Sequence, residues 1–220
     1  MYYRATRAAV LASVLSAVAF APRHCMAQAD ADLWPMAKGT SWTLETTMVD
    51  AATHMQRKAT QLVTVTQSRE GKAGTIATLT YSIGGQLTQV ERYMITPLGV
   101  YRTAAGLDGN AAVSPIMPLI KYPATPGAKW QWTGTVTQGK KKSQSTATLN
   151  AVGFESVKTP AGTYKALHVH SSTTSTENGK PQVIANDLWF AKGVGMVLQK
   201  ATFGTITVRA VVSKVSLAKD

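Results

Sequence analysis

The residues best placed to do chemistry are two histidines one position apart, His168 and His170. Side chains alternate between the faces of a strand, so His168-x-His170 sets two imidazoles on one side, the geometry by which a strand offers two ligands to a metal. No third ligand is evident. Tyr164 and Ala166 share that face, while Leu167 and Val169 point the other way and read as core, so the plain expectation is a polar, exposed row. Asp187 stands beside Trp189 in an apolar stretch, where a buried acid would titrate abnormally and serve as a base, but it too lacks a partner in the sequence. Asp108-Gly109-Asn110 offers oxygens without the spacing and bidentate acid of a calcium loop, and reads as a turn. Beyond the leader described below, there is no Gly-x-Ser-x-Gly elbow, His-Glu-x-x-His pair, phosphate-cradling glycine loop or pair of zinc-ligand cysteines. The expectation is a non-enzymatic protein with no cofactor and no metal.

The elements that hold these residues are strands. After Gly39 nearly every segment alternates or carries β-branched residues, and none keeps a 3.6-residue apolar period. Ala77-Thr78-Leu79-Thr80-Tyr81-Ser82-Ile83 places apolar side chains on one face and hydroxyls on the other, as a half-buried strand requires. Gly84-Gly85, Gly71–Gly74, Gly139 with its lysines, Thr159-Pro160-Ala161-Gly162, Glu177–Pro181 and Gly193–Gly195 mark turns. The pattern predicts about ten strands in a single curved antiparallel meander, a half-barrel or open barrel, over residues 30–220. Between strands, residues 111–127 hold Pro115, Pro118, Pro123 and Pro126 among Ile116, Met117, Leu119 and Ile120; proline at that density reads as a core plug or a lid over a cavity.

Residues 1–29 read as a leader. Arg4 and Arg7 precede an apolar run from Ala8 to Ala21, followed by Ala27-Gln28-Ala29, and cleavage is expected between Ala29 and Asp30. The run of about 14 residues is short of the roughly 20 that span a bilayer. Cys25 lacks the small and apolar residues that lipid modification needs before it, so a soluble, periplasmic mature chain is expected. That chain has no cysteine, and its stability must come from a core. The full chain carries a net charge of +12; the leader removes three arginines and no acid, leaving it clearly basic. This favours an anionic membrane surface, an acidic glycan or an envelope protein partner. Nucleic acid is not expected, and Lys140-Lys141-Lys142 reads as a solvated hairpin tip.

A motif recurs. Pro35-Met36-Ala37-Lys38-Gly39-Thr40-Ser41-Trp42 and Pro123-Ala124-Thr125-Pro126-Gly127-Ala128-Lys129-Trp130 share the spacing Pro-x-x-x-Gly-x-x-Trp, each after an aromatic residue, Trp34 or Tyr122. The physical sense is a proline-fixed entry, a glycine turn and a strand with a large inward ring; Trp132 lies on the same face as Trp130. These two entries, the turn Thr159–Tyr164 and the run Trp189–Val197 occur in an order that resembles a family of exported proteins known as TapB-like. That resemblance implies a fold akin to the half-barrels of the LolA and LolB lipoprotein carriers, whose concave apolar face receives acyl chains. It carries over no ligand-contacting residue.

Two readings of function follow. In the first, the concave face binds an apolar or lipid-like ligand, with Trp42, Trp130, Trp132, Ile116, Met117 and Leu119 as its wall. In the second, these residues fill the core themselves and the protein is a structural or assembly accessory of an envelope complex. The two differ in whether Trp42, Trp130 and the residues from Ile116 to Ile120 bury one another or line an open groove.

Overall fold

The computed structural model describes residues 33–177 and 180–218. The leader, its cleavage point and the Asn178-Gly179 turn lie outside the described residues. Twelve strands follow in order: β1 (Ser41–Asp50), β2 (Met55–Gly71), β3 (Gly74–Ile83), β4 (Gln86–Thr96), β5 (Gly99–Ala105), β6 (Ala111–Lys121), β7 (Lys129–Gln138), β8 (Lys141–Thr159), β9 (Gly162–Glu177), β10 (Lys180–Ala191), β11 (Gly195–Phe203) and β12 (Ile206–Ser216). Each pairs antiparallel with its sequence neighbours, and β1 also pairs with β12 from Ser41 opposite Ser216 to Asp50 opposite Ile206. The sheet is therefore a closed twelve-strand barrel. The expectation of an open half-barrel of about ten strands is corrected: β1 pairs along its length with β2 on one side and β12 on the other, which closes the sheet.

The alternation sets the polarity of the wall. Trp42 and Leu44 on β1, Ala77, Leu79 and Tyr81 on β3, and Trp130 and Trp132 on β7 are buried inward. Thr78, Thr80, Lys129, Gln131 and Thr133 alternate with them outward. This is the inverse of a membrane-spanning barrel, whose apolar band faces out. A fully buried Val, Leu or Phe contributes about 1.5–3 kcal/mol, so the inward residues hold the barrel without help from disulfides.

The two proline–tryptophan entries fold alike. In the first, the Gly39 N–H donates to Val65 O (2.8 Å), Val65 N–H to Thr40 O (2.9 Å) and Thr40 N–H to Ala37 O (3.1 Å). In the second, Gly127 donates to Ala151 O (2.6 Å), Ala151 to Ala128 O (2.9 Å) and Ala128 to Thr125 O (3.1 Å). Gly39 and Gly127 take positive φ (94° and 81°), which glycine adopts without a Cβ clash. A register shift follows each, between Val65 and Gln67 on β2 and between Ala151 and Gly153 on β8. The barrel thus divides into two six-stranded halves, β1–β6 and β7–β12, each opened by the same device.

The proline-rich stretch is neither plug nor lid over most of its length, because β6 is a stave of the wall. Prolines have no N–H to give to a ladder, and β6 pairs with β7 only over Ala112–Ser114. The tryptophans make up the deficit. Trp132 Nε1 donates to Pro115 O (2.9 Å) and Trp130 Nε1 to Pro118 O (3.0 Å), satisfying the carbonyls that strand pairing leaves open.

A meander puts alternate turns at opposite ends. The chain enters at one end through Leu33–Thr40, where Trp34 reaches into the lumen and packs against Tyr93 of β4 (4.8 Å between ring centroids) and Phe190 of β10 (5.0 Å). This entry end is stoppered. The other, the distal end, carries the β1–β2, β3–β4, β5–β6, β7–β8, β9–β10 and β11–β12 hairpins. The long β8–β9 hairpin folds back on the outside of the wall, where Ala161 N–H donates to Val212 O (3.4 Å) and outward-facing Trp189, Leu198 and Val211 are buried.

Candidate ligand chamber in the barrel

Above the Trp34 stopper the lumen turns polar. Cross-strand register aligns Leu79 with Glu91, Tyr81 with Gln89, and Tyr93 with both Ala77 and Arg102, so all these side chains face inward. Both tyrosine hydroxyls donate to Glu91 Oε2, that of Tyr81 at 2.7 Å. Arg102 Nη2 lies 3.1 Å from Glu91 Oε1 and donates to Tyr93 Oη at 3.3 Å. The Glu91 side chain is 6% exposed and that of Arg102 29%. Burial is the main cause that pushes the Tyr81 and Tyr93 hydroxyls above their ordinary pKa, with the Glu91 charge adding to it. For Arg102, burial is the largest single influence and acts to lower the pKa, but the charge of Glu91 together with the two tyrosines and the hydrogen bond to Tyr93 outweighs it, and the guanidinium is held above its usual range. The cluster therefore presents two neutral donors, one carboxylate and one fixed cation.

These groups line a cavity of about 210 Å³. Its floor is Trp34 and Tyr93; Thr46, Gln61, Gln89 and Gln199 bring polar groups to its walls, and Leu119, Leu188 and Met196 complete them. The partly exposed Gln61, Gln89, Ala201 and Val208 mark its opening toward the distal end. At roughly 30 Å³ per water it has room for about seven waters or a small molecule. The Nε–H of Arg102 and the hydroxyl of Thr46, two residues of this lining, are buried without a hydrogen-bond partner. The arrangement suits binding. It has a cation, hydroxyls and amides for carbonyl, carboxylate or phosphate oxygens, but no nucleophile paired with a base.

The residues named from sequence as a ligand wall fall mostly beside this chamber. Trp42, Trp130 and Trp132 are buried in the core at the entry end, their indole N–H groups committed to the carbonyls of Val194 (2.6 Å), Pro118 and Pro115. Gly195, at φ 95°, lies so close to Trp34 and Trp42 that a Cβ would meet their rings at 2.9 and 3.0 Å. Met117 is buried opposite Arg102 in the β5–β6 register, Leu119 lines the chamber, and Ile116 is 36% exposed. Glu91, Arg102, Tyr81 and Tyr93 escaped the sequence reading. Alternation on β4 puts Glu91 on one face with Gln89 and Tyr93, but the other face carries Val90 and Met94, so the phase alone did not place it inside.

The histidine pair sits on the outer wall. Asp187 Oδ1 accepts from His168 Nε2 (2.7 Å) and His170 Nδ1 (2.9 Å), so the acid without a sequence partner has two. His168 stacks on Trp189 (4.4 Å, 13° between planes), and the Trp189 indole donates to Glu155 on the folded-back hairpin. Burial alone would raise the pKa of Asp187; hydrogen bonds and charge from His168 and His170 overcome it, and the net direction is down. Among the described residues no group of three His, Cys, Asp or Glu side chains is placed to hold a metal ion. The cluster clasps the hairpin to the wall.

A family model described as DUF3108-like matches residues 126–202, from the second entry motif through most of β11. Comparison with curated proteins gives no match. Two solved structures share the fold. A candidate lipoprotein from Parabacteroides distasonis ATCC 8503 superposes with a TM-score of 0.57 at 12% identity, covering 84% of this chain and 98% of that one. A candidate exported protein with a YmcC-like fold from Bacteroides fragilis NCTC 9343 gives 0.56 at 15% identity, covering 83% and 98%. At such identities the likeness is one of fold alone. The comparisons thus show a DUF3108-like segment and a fold shared with exported or lipoprotein-type chains; they do not show the TapB-like family or a likeness to the LolA and LolB carriers.

Proposed function

We propose that this chain is a non-enzymatic, exported protein of the cell envelope whose barrel binds a small molecule carrying anionic or carbonyl oxygens, seated on Arg102 and Thr46. The observation that carries the reading is the Glu91–Arg102 pair with its two tyrosines, held in the lumen above a tryptophan floor. Removing two charges from water is costly, and a buried pair adds little net stability compared with apolar packing, so its place beside a cavity with unpartnered donors speaks for a ligand. Export is supported by the leader and by the descriptions of the two proteins that share the fold. The test is mass spectrometry of small molecules released from protein purified from its native envelope, beside the Arg102→Met variant. A molecule with an anionic or carbonyl group, present with the wild type and lost with the variant, is the expected result; the same extract from both overturns it.

A second reading, a structural or assembly accessory with a self-filled core, draws on the entry end. There Trp34, Trp42, Trp130 and Trp132 are all buried in the core. Solvent alone in the native extract, with an envelope protein captured by crosslinking, would favour it.

A further inference from the structure

The two ends of the barrel differ in what their turns expose. At the distal end large apolar side chains stand in solvent on or beside every hairpin except β7–β8: Met55, Leu87, Leu107, Val183 and Phe203, with Leu107 71% and Leu87 55% exposed. The β7–β8 hairpin carries Lys140, Lys141 and Lys142 instead. Beside those lysines a trough of about 420 Å³ is lined by Lys141, Lys142, Ser143, Ser145, Ser175 and Thr176, ammonium and hydroxyl groups suited to phosphate oxygens. Among the described side chains, the acids at this end, Asp50 and Asp108, are engaged in their own turns, with Ala52, Thr53 and Thr205 and with Asn110 respectively; Glu177 also stands at this end, on the β9–β10 hairpin. At the entry end the turns read Lys72-Ala73, Pro160-Ala161 and Lys192-Gly193-Val194, and the large apolar side chains exposed on or beside the turns are fewer: Leu98 on the β4–β5 turn and Ile76 beside the β2–β3 turn, with Leu217 just past β12.

We propose that the distal end seats on an anionic phospholipid surface, its apolar tips entering the interface and the lysine trough taking headgroup phosphates. Apolar tips alone would suit any greasy partner; the adjoining cationic, hydroxyl-lined trough selects one that repeats phosphates beside hydrocarbon. The seat stands whether or not the chamber holds a ligand, although the chamber opens at this same end. A molecule leaving the bilayer would enter the lumen without crossing water.

The experiment is flotation of the protein with phosphatidylcholine vesicles, with and without phosphatidylglycerol. Wild type is expected to float with the anionic vesicles and to stay in solution with the neutral ones. Leu87→Asp with Leu107→Asp should abolish flotation, and replacing Lys140, Lys141 and Lys142 by alanine should weaken it by on the order of tenfold or more. Leu98→Asp, an equally exposed leucine at the opposite end, should leave it unchanged. Circular dichroism of each variant separates lost binding from lost folding. The tryptophans all lie toward the entry end, so brominated lipid should leave their emission unquenched. Wild type that ignores anionic vesicles, a Leu98→Asp loss equal to that of the double variant, or strong tryptophan quenching each overturns the proposal; the first would leave the apolar tips to a protein partner.

Discussion

Replacing Glu91 by leucine tests the physical account of the chamber. The variant strands the Arg102 cation and removes the acceptor of two tyrosine hydroxyls at once. Breaking a buried pair from one side costs about 3–5 kcal/mol. Arg102 is 29% exposed toward the chamber, where water can reach it, which argues for the lower end, about 3 kcal/mol. Arg102→Met leaves the carboxylate with two tyrosine donors and should cost about 2–3 kcal/mol, the worth of a charge-assisted bond. The double variant removes both charges and leaves two neutral hydroxyls beside a wet cavity, so it should lose no more than about 3 kcal/mol, not the sum of the singles. With a urea slope of about 2–3 kcal/mol per molar, Glu91→Leu should lower the midpoint by about 1–1.5 M and the double variant by no more than that. Equilibrium urea unfolding followed by tryptophan emission and far-ultraviolet circular dichroism gives these numbers. A double variant as unstable as the two singles added together would show that the groups do not act as a pair, and the account of the chamber would fail.

Two further outcomes follow from the packing. Trp34→Ala removes the stopper that joins β4 to β10 and should cost about 3–5 kcal/mol in urea unfolding; a loss under 1 kcal/mol would mean the lumen is not closed by this ring. Asp187→Asn bears on the hairpin clasp. Its carboxyl pKa is lowered in the folded state, so its contribution is present above the ordinary aspartate range and is lost as pH falls through the folded value. Discounted for solvent screening, that contribution is at most about 1 kcal/mol. Urea midpoints of wild type and variant should therefore differ at neutral pH and converge in acid, and a gap of constant size down to low pH would contradict the clasp.

How much of this was legible follows from where each feature is encoded. Strands and their turns are local, and Gly84-Gly85, Gly139 and Pro160–Gly162 stand at hairpins as their turn chemistry demands. The inward faces of β1, β3 and β7 were likewise readable from alternation. Closure was not, because nothing local distinguishes a first strand that meets the last from one that ends as an edge; the pairing of Thr43 and Leu44 with β12 is a relation between distant segments. β6 was misread for a different reason. Proline density argues against a central strand, and only the tryptophans of β7, whose indoles cap the unpaired carbonyls, make it tolerable. The chamber was hidden for the same reason as closure. Glu91 and Arg102 look like ordinary surface charges until the sheet curls round and puts their face inside.

The pairing of β1 with β12 also sets an order of events in time. The Ser213 hydroxyl donates to Thr43 O across 170 positions of sequence, so the final seam can form only when nearly the whole chain is present. Until then both outer strands stay open, and contacts of such long range fold slowly. A nascent chain without its last strand thus cannot close the barrel. The same dependence makes the C-terminus a quality check. A chain truncated before Ile206 would keep most of its local hairpins yet leave two raw edges, ready to pair with other chains.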